Sequence, residues 1–409
     1  MINIIEKFIN KDGIYVFASS FVYKICNFLT AILLVRILSP EDFGVLSYTL
    51  SSLAFFVPFA GGGLQYSFLH FAPLYRESQD RNSLFFVSLY KGLFLSIGVL
   101  IILYFCIPWL SSGWPDSKNY FYVLGFYLFG FFIIDLVKNR FRVENSNKKF
   151  AGIELTCALI VFISSLLMAY LYGVLAYLIT IVSVPILIGL IHIKGQYKSI
   201  IKIPDNYISY GLWVAFGAVA SQLMYSLDLF FIGRILQDPQ QVALYRSASI
   251  LPIALFFIPN AYITTYYADL AENFTSKSFL KIFIKDYLKL FSVIGIIFCG
   301  ILFFCSEFII GGIFGSSYLD AVSPFKILVL GMFGAFIIRI PFGNLLAAVG
   351  KSKWNAMVSL FMLLLNGFLN YFAITAWGIK GAAIVTCLVF WLSGIVSATL
   401  YLYYLSRIS

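Results

Sequence analysis

The chain has 409 residues, of which 61% are hydrophobic, 19% aromatic and only 11% charged. So little polar surface excludes a water-soluble fold and leaves a polytopic membrane protein. A formal net charge of +10 raises the question of nucleic acid, but no basic patch sits on a soluble module, and nucleic acid is excluded as a partner.

Apolar segments of about 20 residues, enough to cross roughly 30 Å of hydrocarbon, recur from end to end. In chain order they cover 14–37, 43–68, 84–109, 119–141, 150–171, 174–193, 208–235, 244–267, 284–305, 323–347, 354–375 and 380–404. That predicts about twelve transmembrane helices with no linker long enough for a separate soluble domain. Met1 to Lys11 lack the apolar core and small-residue cleavage site of a secretory signal, so the N-terminus is expected to stay attached and cytoplasmic.

The cations follow membrane side. With both termini inside, the inner connections collect Arg76 and Arg81, then Lys138, Arg140, Arg142, Lys148 and Lys149, then Lys194, Lys198 and Lys202. Lys277, Lys281, Lys285 and Lys289 follow, and then Lys351 and Lys353. The outer connections hold little beyond Arg36, Lys118, Arg234, Arg246, Lys326 and Lys380. This asymmetry is the positive-inside signature, and its regular alternation favours an even number of spans.

Two stretches echo each other. Arg36-Ile37-Leu38, Pro40, Leu46 and Tyr48 are matched by Arg234-Ile235-Leu236, Pro239, Leu244 and Tyr245, an offset of 198 at the arginine. Lys149-Phe150 and Tyr172-Gly173-Val174 are matched by Lys353-Trp354 and Trp377-Gly378-Ile379, at offsets of 204 to 205. A nearly constant offset predicts two lobes of six helices, residues 1–199 and 200–409, dividing in the polar run Lys194 to Asn206. Six is even, so the lobes are expected to be parallel repeats around a central cavity, an architecture of transporters.

The six cysteines lie in or beside apolar spans without a Cys-x-x-Cys pair, and His70 and His192 are the two histidines, so no disulfide framework, metal site or cofactor is expected. Walker, Rossmann, Gly-x-Ser-x-Gly and His-Glu-x-x-His patterns are missing, which points away from an enzyme and from ATP hydrolysis. Gly61-Gly62-Gly63 is expected to break or closely pack the second span. Pro58, Pro252 and Pro259 suggest kinks. From Phe274 to Leu290 the lysines fall four apart with Phe279, Ile282, Phe283 and Tyr287 between them, which predicts a basic helix lying on the inner surface, either to capture an anionic lipid-linked substrate or as an anchor.

The informative residues are polar ones deep in apolar spans, because a central charge costs about 2.5 to 3.5 kcal/mol even on the mild insertion scale. Lys24 stands about ten residues into the first span, near the midplane at 1.5 Å per residue. Ser20, Lys24 and Asn27 share one face. At the repeat offset Lys24 and Asn27 map onto Gln222 and Tyr225, and that face of the seventh span extends toward Asp228. Arg339 in the tenth span precedes Pro341. Each of these either lines a cavity or serves structure. Asn355, Ser359, Asn366 and Asn370 draw a further stripe, for a cavity or for interhelical hydrogen bonds, while Asp135, Glu154 and Glu307 read as solvated or paired near span ends.

Arg36-Ile37-Leu38-Ser39-Pro40-Glu41-Asp42-Phe43-Gly44-Val45-Leu46-Ser47-Tyr48 resembles the opening signature of the polysaccharide-biosynthesis flippases, which export O-antigen and related repeat units. Lys351-Ser352-Lys353-Trp354, Asn366, Asn370 and Gly378-Ile379-Lys380-Gly381-Ala382-Ala383 are similar to that family's C-terminal pattern. The resemblance covers essentially the whole chain. It implies the superfamily of multidrug, oligosaccharidyl-lipid and polysaccharide exporters, which includes the lipid II flippase, though two spans that flippase has beyond twelve find no room here.

The substrate implied is an oligosaccharide on undecaprenyl pyrophosphate, turned from the inner to the outer leaflet of the bacterial cytoplasmic membrane. Membrane lipids and a polysaccharide polymerase are the implied partners. In the family a cationic cavity receives pyrophosphate and sugars. Lys24 and Arg339 are the candidates for the pyrophosphate, Asn27, Gln222 and Tyr225 for sugar hydroxyls, and Asp228 for a coupling proton or ion or for balancing Lys24. The alternative of the same fold is a drug/cation antiporter, which would need an acidic cavity. A polytopic glycosyltransferase or polymerase would need longer outer loops.

Overall fold

The structure is a computed structural model that describes residues 13–193, 195, 203–224 and 226–407. Helices follow one another and no strand occurs among the described residues. They are α1 (Gly13–Ile37), α2 (Pro40–Leu53), α3 (Leu64–Phe71), α4 (Ser78–Leu110), α5 (Ser117–Gly125), α6 (Tyr127–Val143), α7 (Asn147–Tyr172) and α8 (Val174–Ile191). After these come α9 (Tyr207–Leu223), α10 (Leu227–Leu236), α11 (Pro239–Leu255), α12 (Phe257–Glu272), α13 (Lys277–Phe304) and α14 (Ser306–Ile313). The last are α15 (Val322–Gly334), α16 (Ile340–Ala348) and α17 (Ser352–Arg407).

Among the described residues, 10 helical stretches are long and apolar enough to cross a membrane. The last of them, the 56-residue α17, is interrupted at Gly378, whose φ of 57° and ψ of −141° no helix contains. Its two arms fold back on each other, since Val358 and Met362 of one and Val385 and Val389 of the other share one apolar cluster. With the two arms taken separately, the described helices supply 11 such stretches, and the shorter apolar α9 lies outside that count. Large side chains stand bare on the outside, as a lipid-facing surface requires: Phe105, Phe304 and Phe308 are 82%, 86% and 82% exposed.

The echoed motifs have a local physical cause. Arg36 and Arg234 each lie in the last turn of a helix, where a cation meets the negative end of the helix dipole. Ser39 and Asp238 then cap the next helix by accepting from the Asp42 and Gln240 amides, and Pro40 and Pro239 take its first turn. Gly173 and Gly378 share positive φ, 77° and 57°, at the two later junctions.

The chain divides into two compact units, Met1–Gln222 and Leu223–Ser409. The polar run Lys194 to Asn206, where the division was expected, lies largely outside the described residues. Helix α9 packs with the first unit: Ser67 Oγ donates to the Tyr207 carbonyl at 2.7 Å, and Tyr207 Oη and Ser88 Oγ are 2.6 Å apart. Thus the seventh span is not one helix. Helix α9 ends at Leu223 and α10 begins at Leu227, and the side chain of Gln222 lies outside the described residues.

In the first unit the second span is broken at Gly61, Gly62 and Gly63, all with positive φ, and the Gly61 amide donates to Ser96 Oγ at 2.8 Å. The fully buried Phe132 ring of α6 fills the space that Gly61 and Gly92 leave without a side chain. In the second unit Tyr287 stacks on Phe291 with ring centroids 4.3 Å apart and donates to the Phe336 carbonyl at 2.8 Å. That carbonyl belongs to a widened turn, Ala335–Arg339, between α15 and α16. The basic segment after Phe274 corrects the expectation of a surface helix. It is the start of the continuous 28-residue α13, with Leu280, Phe283, Ile284 and Tyr287 buried in the unit. Of the apolar residues interleaved with lysines there, Phe283 and Tyr287 pack inward while Ile282 stays exposed.

Gly92 should therefore resist the usual gain from replacing a helical glycine. Gly92→Ala is expected to lower the thermal stability of the detergent-purified protein by about 1–3 kcal/mol through collision with Phe132. Gly300→Ala in α13, where a Cβ meets nothing within 4 Å, should leave it unchanged or raised.

Candidate functional site

Polar groups on the apolar helices gather into clusters, one in the first unit and two in the second. In the first unit, Asp135 and Lys138 stand one turn apart on α6, with Nζ 3.4 Å from Asp135 Oδ1. Glu154, on α7, brings Oε1 to 3.7 Å from the same ammonium. Its other oxygen accepts from Ser20 Oγ at 2.8 Å and faces Ser19 Oγ, also at 2.8 Å, whose proton is shared with the Val16 carbonyl. Lys24, four residues beyond Ser20 on α1, interacts electrostatically with Glu154. Two ammonium groups and two carboxylates thus tie α1, α6 and α7 together.

Asp135, Lys138 and Glu154 border a cavity of about 260 Å³ lined also by Tyr23, Asn27, Tyr127 and Tyr177, while Lys24 is not among the lining residues. Asn27 donates to the Tyr23 carbonyl of its own helix at 3.0 Å and is exposed to the cavity. Below the cavity the remaining cations cover aromatic rings: Arg142 lies 4.4 Å over Phe150 and Arg140 4.8 Å over Phe85. Lys138 departs from the inner-loop role expected of it because it precedes the end of α6 by more than a turn and turns toward α7.

In the second unit Asp228, 5% exposed, opens α10. It accepts from Tyr245 Oη at 2.7 Å, from Asn370 Nδ2 at 2.8 Å and from Thr386 Oγ1. Asn370 also donates to Asn366 Oδ1 at 2.9 Å, and its own Oδ1 is buried without a hydrogen bond. So Asp228 is held by neutral donors from α11 and both arms of α17. The polar stripe on α17 splits in two. Asn366 and Asn370 serve Asp228, while Asn355 Oδ1 and Ser359 Oγ accept from Arg339 at 3.3 and 2.9 Å.

The predicted residues therefore do not form one constellation. Asn27 lines the cavity of the first unit, whereas Lys24 stands on the same helix outside its lining. Arg339 and Asp228 belong to the second, but the residues that hold them, Ser359 and Asn370, lie eleven positions apart, about 16 Å along the helix. Gln222 is in the last turn of α9, and its side chain, like all of Tyr225, lies outside the described residues. Sequence reasoning missed Asp135, Lys138 and Glu154 as a group, although an acid and a lysine at i and i+3 facing a buried acid on the next helix is a readable pattern. Tyr245 and Thr386 carried no signal of their own.

The model of a family described as polysaccharide biosynthesis protein matches residues 33–323. The chain belongs to this family. A proposed O-antigen transporter of Shigella flexneri is 25% identical over 377 residues, spanning 86% of this chain and 87% of that one. The inward closed structure of the lipid II flippase MurJ is similar with a TM-score of 0.74 at 15% identity, covering 97% of this chain and 90% of that one. An inward-facing multidrug resistance MATE transporter of the MOP superfamily gives 0.72 at 14% identity, covering 94% and 95%. At such identities the structures share the fold. The family member is thus a multi-pass membrane protein with the fold of these transporters.

Truncating a buried acceptor strands its donors, whereas an isosteric exchange does not. Asp228→Ala is expected to cost at least about 2 kcal/mol of thermal stability, and the same change made on a Thr386→Ala background should cost less. Equal losses on both backgrounds would mean that the two side chains are not coupled.

Proposed function

We propose that the chain is a flippase that carries an undecaprenyl-pyrophosphate-linked oligosaccharide from the inner to the outer leaflet of the cytoplasmic membrane. The observation that carries this reading is the presence of ammonium and guanidinium groups within apolar spans of a polysaccharide biosynthesis family member. A cation at that depth is costly unless something anionic repays it, and a diphosphate does so with charge-assisted hydrogen bonds. Lys24 and Arg339 meet the phosphates. Asn27, Gln222 and Tyr225 meet sugar hydroxyls. The lipid tail stays in the bilayer.

The two lobes divide near residue 200 and are parallel repeats, and alternating access comes from rocking of one against the other. Both termini are cytoplasmic. Asp228, a buried carboxylate beside an unsatisfied amide oxygen, takes up the coupling proton or cation. A polymerase that lengthens the polysaccharide receives the product. The drug/cation antiporter gains little from the first-unit cavity, because both of its carboxylates are already engaged by Lys138 rather than presented to a cation.

Lys24→Ala and Arg339→Ala should each abolish surface polysaccharide in a strain whose own transporter is deleted, with membrane levels of the protein unchanged on immunoblots. Normal export from both would remove the cations from the mechanism.

A further inference from the structure

Glu154 is placed to do more than neutralise a lysine. Its two oxygens have different employers: one faces the serine hydroxyls of α1, the other faces Lys138 across the cavity wall. The serine-bound oxygen keeps its partners if the lysine leaves, so the carboxylate is not stranded by losing Lys138. Asp135, 3.4 Å from the same ammonium, keeps a charge partner on Lys138 during the exchange. The cavity is lined by two carboxylates and one ammonium, so an arriving diphosphate meets no net attraction unless a carboxylate yields the lysine.

Volume narrows the occupant. At about 260 Å³ the cavity falls near the lower end of ligand sites, roughly 300 Å³. A diphosphate headgroup suits it, with any attached sugars extending out through its open side. Carboxylate and phosphate oxygens compete for the same ammonium protons with similar geometry.

We infer that Glu154 is an internal stand-in for the substrate's phosphate, holding Lys138 and releasing it to a diphosphate that enters the first-unit cavity. This rests on the flippase reading and adds Lys138 to the cations that meet the headgroup. The exchange also keeps the lysine compensated at every stage, which removes the penalty of leaving an ammonium group bare between transport cycles.

The purified full chain in detergent, titrated with inorganic pyrophosphate and separately with farnesyl pyrophosphate, tests it. Glu154→Gln should tighten binding of both probes about tenfold by removing the competitor, and Glu154→Asp should restore the native value. Lys138→Gln should weaken both about tenfold, while Lys138→Arg, which keeps the charge, should not. A preference for the prenylated probe identifies a lipid headgroup as the ligand, and equal affinities identify free diphosphate. Unchanged affinity in Glu154→Gln, or weaker binding accompanied by a lower melting temperature, would overturn the stand-in role and make Glu154 a structural partner, leaving the flippase reading intact. Failure of the native protein to bind either probe would overturn both.

Discussion

A charged side chain inside the hydrocarbon must be compensated, and in the first unit that requirement fixes where three helices stand. Lys138 is held by Asp135 of its own helix and by Glu154 of the next, and Glu154 is held in turn by Ser20 of the first helix. Moving any of these helices by a few ångströms would leave an ion bare in a medium where that is expensive. Apolar packing follows the same frame. Phe132, three residues before Asp135, fits the gap left by Gly61 and Gly92 and so sets the angle from which α6 presents its charges. The second unit meets the same constraint without a counter-charge, by surrounding Asp228 with Tyr245, Asn370 and Thr386.

The two solutions have different consequences. An ion cluster exchanges partners readily, since each ammonium can accept another anion in place of a carboxylate. A carboxylate satisfied by neutral donors is suited to taking up a proton or a small cation, which changes its charge without requiring another side chain to move. A transporter that couples an anionic substrate to an ion has use for one of each.

Much of this was legible in the sequence where the physics is local. Span length and the Arg-Ile-Leu turns with their proline-led helices follow from neighbours in the chain, and Ser20 of α1 does meet a polar partner in Glu154. What was not legible depends on which helices meet. Lys138 reads as an inner-loop cation because it is followed by Arg140 and Arg142, and only the approach of α7 turns it inward. The lysines after Phe274 read as a surface helix because periodicity reports amphipathicity and not the partner of the apolar face. The end of α9 at Leu223 and the start of α10 at Leu227 come with no proline or glycine between them to announce the break.

The central claim is movement of a lipid-linked saccharide between leaflets, and its sidedness is the direct observable. In a strain deleted for its own transporter and supplied with this chain, a membrane-impermeant lectin or glycosidase added to spheroplasts reports which leaflet holds the lipid-linked repeat unit. The account predicts that the repeat unit stays inaccessible without the chain and becomes accessible with it. Unchanged sidedness, together with newly altered drug sensitivity, would contradict the account and favour an antiporter.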